Sequence, residues 1–319
     1  MADEYEAGNN ESSYSCLPPP DCNKGQPWLV VSHGQQLQRQ SFYTILKHRY
    51  MTRIIPDMRN KQVLPTSFGW LALIDVTTQE CCLMNMSSMD KIQLPRLGLK
   101  SIKNRYFRCT LSKPPGDPDC HVLLVSTTQN LLLFCRIGDE KFVSRRNAFQ
   151  DDKLAATTNF QGKIYAWMSK SSNLVTLDFA GNDVWLDTLG NDNRKGEWPL
   201  SSNSSPWDYE LMESYGKLLM VQKIYSFGEI IHFKIFKIDP SVMACEELQS
   251  IGNRNIFLSN FGSMCVSASG CWGMKDNLIY FTLSNDKNLY AYDIEDHSKT
   301  FYMPCNIAKR GALKFWIMI

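Results

Sequence analysis

The chain has 319 residues with 34 Lys plus Arg against 32 Asp plus Glu. Charge so evenly balanced gives no bulk field for a nucleic-acid backbone or an anionic bilayer, so neither nucleic acid nor membrane is expected as a partner. The length admits one large β domain as readily as two smaller ones.

Residues 1–26 are polar, with Ser12-Ser13 and Pro18-Pro19-Pro20, and hold too little apolar area to offset the entropy of ordering. They are expected to form a disordered tail ahead of a domain at residues 27–319. The opening residues Met1 to Glu6 are acidic and no later run approaches the roughly 20 apolar residues of a membrane span, so neither secretion nor membrane insertion is expected.

From Trp28 onward, short runs of Val, Ile, Leu, Phe and Tyr alternate with clusters of Gly, Asn, Asp and Ser, the signature of strands and turns. Residues 69–95 read as three antiparallel strands, Trp70 to Asp75, Cys82 to Asn85 and Ile92 to Pro95. The layout returns at residues 106–142, where His121 to Val125 turns into Leu131 to Cys135, and again at 155–189, around Lys163 to Trp167 and Leu174 to Asp178. A fourth unit spans 209–251 and a fifth 256–304.

Each unit is about 40 residues of three or four strands, the period of a propeller blade. The ends of the domain, Trp28 to Val31 with Ile45 to Ile55 and the apolar Leu313 to Ile319, are expected to pair as one more blade, hiding both sheet edges. The reading is an all-β propeller of about six blades, closed by its N- and C-terminal strands.

Eleven cysteines, Cys16, Cys22, Cys81, Cys82, Cys109, Cys120, Cys135, Cys245, Cys265, Cys271 and Cys305, are an odd number without C-x-x-C spacing. Neither a metal site nor a disulfide framework follows, and no metal or cofactor is expected. Cys109, Cys135 and Cys265 lie in apolar strand-like runs, where a free thiol acts as a small hydrophobe and requires a reducing compartment. That points to cytoplasm or nucleus. The densest basic stretch, Lys100, Lys103, Arg105 and Arg108, reads as a solvated loop.

Gly69-Trp70-Leu71, Leu94-Pro95, Cys135 to Asp139, Gly162 to Ala166, the run YELMESYGKLLMV at 209–221, Ile251-Gly252-Asn253 and Asn277 to Phe281 occur in one order along the chain. Together they resemble the plant KIB-type β-propeller domain over about residues 27–319. Members usually carry an F-box ahead of the propeller, and the resemblance implies a substrate receptor that hands a bound client protein to a Skp1-cullin ubiquitin ligase. The sequence departs from the pattern, because the polar, proline-broken residues ahead of Trp28 are not expected to form a helical F-box. Met86 and Phe142 also stand where the family tends to have proline and tryptophan.

Signals for chemistry are sparse. The five histidines, His33, His48, His121, His232 and His297, accompany no G-x-S-x-G turn, and no phosphate-binding glycine loop exists. His232 reads as a strand-face residue. A carbohydrate-acting propeller would need two carboxylates about 5 to 10 Å apart across its centre. Asp75, Asp178 and Asp293 each end an apolar strand, where Asp more commonly accepts turn amides.

A non-enzymatic, protein-binding role is therefore expected. Its alternatives are an adaptor or competitor binding the same targets without ubiquitin machinery and, more remotely, a sugar-acting enzyme. Trp198, Trp207, Tyr209 and Trp272 lie in polar inter-unit segments and are the candidate protein-binding residues. The segment 190–206 is the candidate variable loop.

Overall fold

A computed structural model describes residues 26–102, 105–146, 152–180, 183–189, 195–196, 198–199, 209–268, 273–283, 286–303 and 312–318. The described strands form six sheets arranged as the blades of one propeller. The helical elements given by described residues are three single turns, Gln35–Leu37, Pro56–Met58 and Ser67–Gly69.

The first blade is built from both ends of the chain. Its innermost strand is the C-terminal Leu313–Met318, followed outward by Pro27–His33, Arg39–Thr44 and Arg49–Ile54. Leu29 pairs with Trp316 and Val30 with Phe315 in an antiparallel register, so ring closure is a ladder of backbone hydrogen bonds. Trp316 is buried, its indole N–H donates to the Leu258 carbonyl at 3.1 Å, and its ring meets Phe257 edge-on at 4.9 Å. The expected closure is thereby realised and also pinned to the sixth blade. Lys314, buried on the same strand, donates to the carbonyls of Leu283 and Asp286.

The second blade (Lys61–Pro65, Trp70–Asp75, Cys81–Asn85, Lys91–Leu94), third (Phe107–Leu111, His121–Ser126, Leu131–Arg136, Val143–Arg146) and fourth (Leu154–Phe160, Lys163–Met168, Asn173–Ala180, Asp183–Thr188) are four-stranded meanders. Lys61–Pro65 adds an innermost strand to the three expected in that unit. Runs such as Leu131 to Cys135 are buried throughout, because a blade packs against a neighbour on both faces.

The fifth and sixth blades each carry a fifth strand, beyond the three or four expected. In the fifth (Tyr209–Ser214, Lys217–Ser226, Glu229–Asp239, Ala244–Leu248), the dipeptide Lys195–Gly196 lies parallel to Ala244 and Cys245 outside the fourth strand. Gly196 has φ +84°, and a Cβ there would sit 2.0 Å from the Cys245 carbonyl oxygen, so only glycine fits.

The sixth blade begins one strand in from the centre. Arg254–Ser259 turns back into the innermost Gly262–Ser267, and the chain then passes outward to Leu278–Thr282, parallel to Arg254–Ser259, before Leu289–Asp293 and Lys299–Tyr302. The innermost strands of the six blades neighbour one another in a closed circle.

Candidate functional site

The innermost strands surround a cavity of about 580 Å³ on the propeller axis. Its wall comes from all six blades: Thr66 to Trp70, Thr110, Thr157 to Gln161, Leu211 to Glu213, Ser263 to Cys265, and Trp316 to Met318. Most of these lie toward the carboxyl ends of the innermost strands and in the turns after them, so the cavity is a cup facing that side of the ring.

Buried charges close the other end. The Arg108 guanidinium donates to both carboxylate oxygens of Glu210, at 2.8 and 2.7 Å, and from Nε to the Asn260 carbonyl at 3.2 Å. Lys223 donates to the same carboxylate at 2.8 Å. Arg108 and Glu210 are the second residues of their strands, and Asn260 lies just ahead of the sixth blade's innermost strand. The floor thus ties the third, fifth and sixth blades.

Glu210 is 1% exposed. Burial pushes its pKa up, but Arg108 and Lys223 outweigh that and hold the carboxyl below its ordinary value. Arg108 belongs to the stretch expected to be a solvated loop. That reading is corrected, because the charge spacing in sequence gave no hint of a carboxylate arriving from 102 residues further on.

Above the floor the wall is mostly neutral and small. The hydroxyls of Thr110 and Thr157 share a hydrogen bond at 2.7 Å, Asn159 donates to the Leu111 and Ser112 carbonyls, and Ser263 donates to the Leu211 carbonyl at 3.4 Å. These bonds join neighbouring blades and fix the wall. Phe68, Met86, Met264 and Met318 add apolar surface. Glu213 is the remaining charged lining residue and accepts the Gly216 N–H at 2.7 Å. Burial raises the Cys265 thiol, so that cup residue is a poor nucleophile, and no histidine lines the cup. The arrangement is built to hold an inserted group by shape and hydrogen bonds.

The carboxylates considered for sugar chemistry lie elsewhere. Asp75 accepts the Thr77 and Thr78 amides at 2.9 Å, and Asp293 accepts that of Glu295 at 2.9 Å, both as turn anchors. Asp178 lines a surface groove of the third and fourth blades. His232, half-buried on the fifth blade, meets the Tyr292 hydroxyl at 2.6 Å, and that hydroxyl meets His297 at 2.9 Å.

Of the aromatic residues singled out from sequence, Trp207 and Trp272 fall outside the described residues. The exposure expected of Tyr209 is corrected. It is fully buried as the first residue of its innermost strand, with its ring 5.7 Å from Trp167 and its hydroxyl accepting from Gln222. Trp198 is half-buried, stacked on Trp167 at 6.2 Å, and donates to the Lys195 carbonyl at 3.1 Å. Its inner face packs on the core. The cup residues Thr110, Thr157, Thr158 and Ser263 carry no motif, and only their place on innermost strands identifies them.

The family model of the KIB1-4 beta-propeller matches residues 41–303. A curated relative, the F-box protein At2g17690 of Arabidopsis thaliana, is 24% identical over 170 residues, which are 53% of this chain and 35% of that protein. The match thus covers about a third of the relative's length. Similar solved structures include the dihydro-heme d1 dehydrogenase NirN in complex with DHE, at 10% identity and TM-score 0.40, covering 86% of this chain and 53% of that one. Another is the nidogen/laminin complex, at 8% identity and TM-score 0.44, covering 92% and 98%.

Proposed function

The chain belongs to the KIB1-4 β-propeller family, and from that premise we propose that it is a client-binding propeller, a substrate-recognition domain of the kind F-box proteins carry. The observation behind this reading is the one-ended cup: a cavity of about 580 Å³ whose floor cations, Arg108 and Lys223, are both held by the Glu210 carboxylate and whose wall offers hydroxyls, amides and thioethers. Such a site takes a side chain or a short loop from a partner and orients it with a few polar contacts. Among the described residues no acid–base pair or metal-ligand set lines it, and the reading is of binding without catalysis and without a cofactor. Free thiols in the core suit a reducing compartment, cytoplasm or nucleus.

The test is affinity purification of the tagged chain from plant cells under proteasome inhibition, in parallel with Thr158→Trp, which fills the cup. A client protein retained by the native chain and lost from the variant supports the reading. A client retained equally by both moves the binding surface off the cup. Stoichiometric Skp1 and cullin beside the client would mark a ligase receptor. A client recovered without them would mark an adaptor.

A further inference from the structure

We propose that the outer edge of the first blade is a second docking surface, specific for an extended segment that alternates acidic and apolar residues. It lies on the rim of the ring, away from the cup, and rests on the binding reading only in expecting a protein partner.

Residues 27–55 contain four basic residues, Arg39, Lys47, Arg49 and Arg53, and no Asp or Glu, although the whole chain is only +2. No ion pair joins any of the four to a carboxylate among the described residues. Two basic residues on the outer strands of the next blades do have carboxylate partners. Lys91 on the second blade pairs with Asp57, and Arg145 on the third pairs with Asp183.

Among the described residues Arg49–Ile54 is the outermost strand of its sheet and pairs only with Arg39–Thr44, so its far side offers backbone groups that no described strand pairs. Arg49 and Arg53 project on one face, about 13 Å apart at strand spacing. Tyr50 and Ile54, 44% and 63% exposed, project on the other. The charges keep two copies of this edge apart, and the same charges select an acidic strand. An antiparallel strand added here would place acidic residues opposite Arg53 and Arg49 and apolar ones opposite Ile54 and Tyr50. Read along that strand, the pattern is apolar, acidic, two neutral, apolar, acidic. The fold already accepts a fifth strand at a blade edge, since Lys195–Gly196 occupies that position on the fifth blade.

The probe is a fluorescein-labelled peptide of sequence valine-glutamate-threonine-threonine-valine-glutamate flanked by glycines, titrated with the full chain and read by fluorescence anisotropy. Saturable binding that weakens at least tenfold in Arg49→Glu/Arg53→Glu, and partly in the milder Arg49→Gln/Arg53→Gln, is expected, with Thr158→Trp leaving it unchanged. Tighter binding after removal of residues 1–22, which hold Asp3, Glu4, Glu6, Glu11 and Asp21, also supports the proposal by revealing the chain's own acidic segment as a competitor. Equal binding of a lysine-for-glutamate peptide, no change in the arginine variants, no binding at 1 mM peptide, or stronger binding of a polyuridine RNA at the same edge would each overturn it. Loss of client binding in Thr158→Trp leaves this result untouched, so the two readings fail separately.

Discussion

Arg108 and Glu210, on the innermost strands of the third and fifth blades, form a two-point ion pair at 2.8 and 2.7 Å beneath the central cup. The fourth blade lies between theirs in the ring, so the bond reaches past a neighbour and fixes the radius of one side of the propeller. With Lys223 on the same carboxylate, the cluster satisfies charges that would otherwise be costly so far from water.

Removing the carboxylate charge leaves Arg108 and Lys223 without their shared counter-ion. Glu210→Gln is expected to lower unfolding free energy by about 3 to 5 kcal/mol in urea denaturation, in line with breaking a buried pair from one side. The acid limb should follow. Because the folded-state pKa of Glu210 is depressed, its contribution is fully present above the unfolded value near 4.5 and is lost as pH falls through the folded value. Native stability should therefore drop below pH 4.5 more steeply than that of Glu210→Gln. Parallel acid limbs would show that the pair is not formed.

Ring closure should depend on Trp316. Truncating this buried indole to alanine removes both its packing on Phe257 and its bond to the Leu258 carbonyl. A loss of about 3 to 5 kcal/mol is expected by differential scanning or chemical denaturation. A loss below 1 kcal/mol would mean that the terminal strand does not carry the closure.

Most of the architecture was legible because a blade strand buried on both faces reads as an uninterrupted apolar run, as at Leu131 to Cys135, with turn residues on either side. The ends were legible for the same reason, as apolar strands without another blade to join. Lys61–Pro65 was missed because a lysine, a glutamine and a terminal proline dilute the pattern. The strand order of the sixth blade was not readable at all. Apolar runs mark Arg254–Ser259 and Leu278–Thr282 as strands, but which strand is innermost depends on long-range pairing. The site was least legible. Aromatic residues in polar surroundings suggested exposure, yet Tyr209 opens a core strand, and the cup is lined by Thr and Ser that any strand might contain.

Gly196 offers a local test of the added strand on the fifth blade. In Gly196→Ala the new methyl meets the Cys245 carbonyl oxygen, so Lys195–Gly196 should detach and the bond from the Lys195 amide to the Met243 carbonyl, now 2.9 Å, should open. Hydrogen exchange at Lys195 should accelerate at least tenfold, while global stability falls by no more than about 1 to 3 kcal/mol. Unchanged exchange would remove this strand from the blade.

The buried thiols set the alkaline limit. Burial pushes Cys81 up to about 12 and holds Cys109 and Cys135 well above the ordinary thiol value. A thiol with a raised folded-state pKa contributes stability that is fully present below its unfolded pKa, near 9, and is lost as pH rises beyond it, because the unfolded chain ionises first. Stability should therefore decline from pH 9 to 11, and Cys109→Ser/Cys135→Ser should flatten that decline even though the serines lower stability at pH 7. The same burial denies these sulfurs to reagents. At pH 8 iodoacetamide should label Cys109 and Cys135 only at the rate of unfolding, rising with urea. Rapid labelling of either in the native protein would place it at the surface and contradict the packing of the second and third blades against each other.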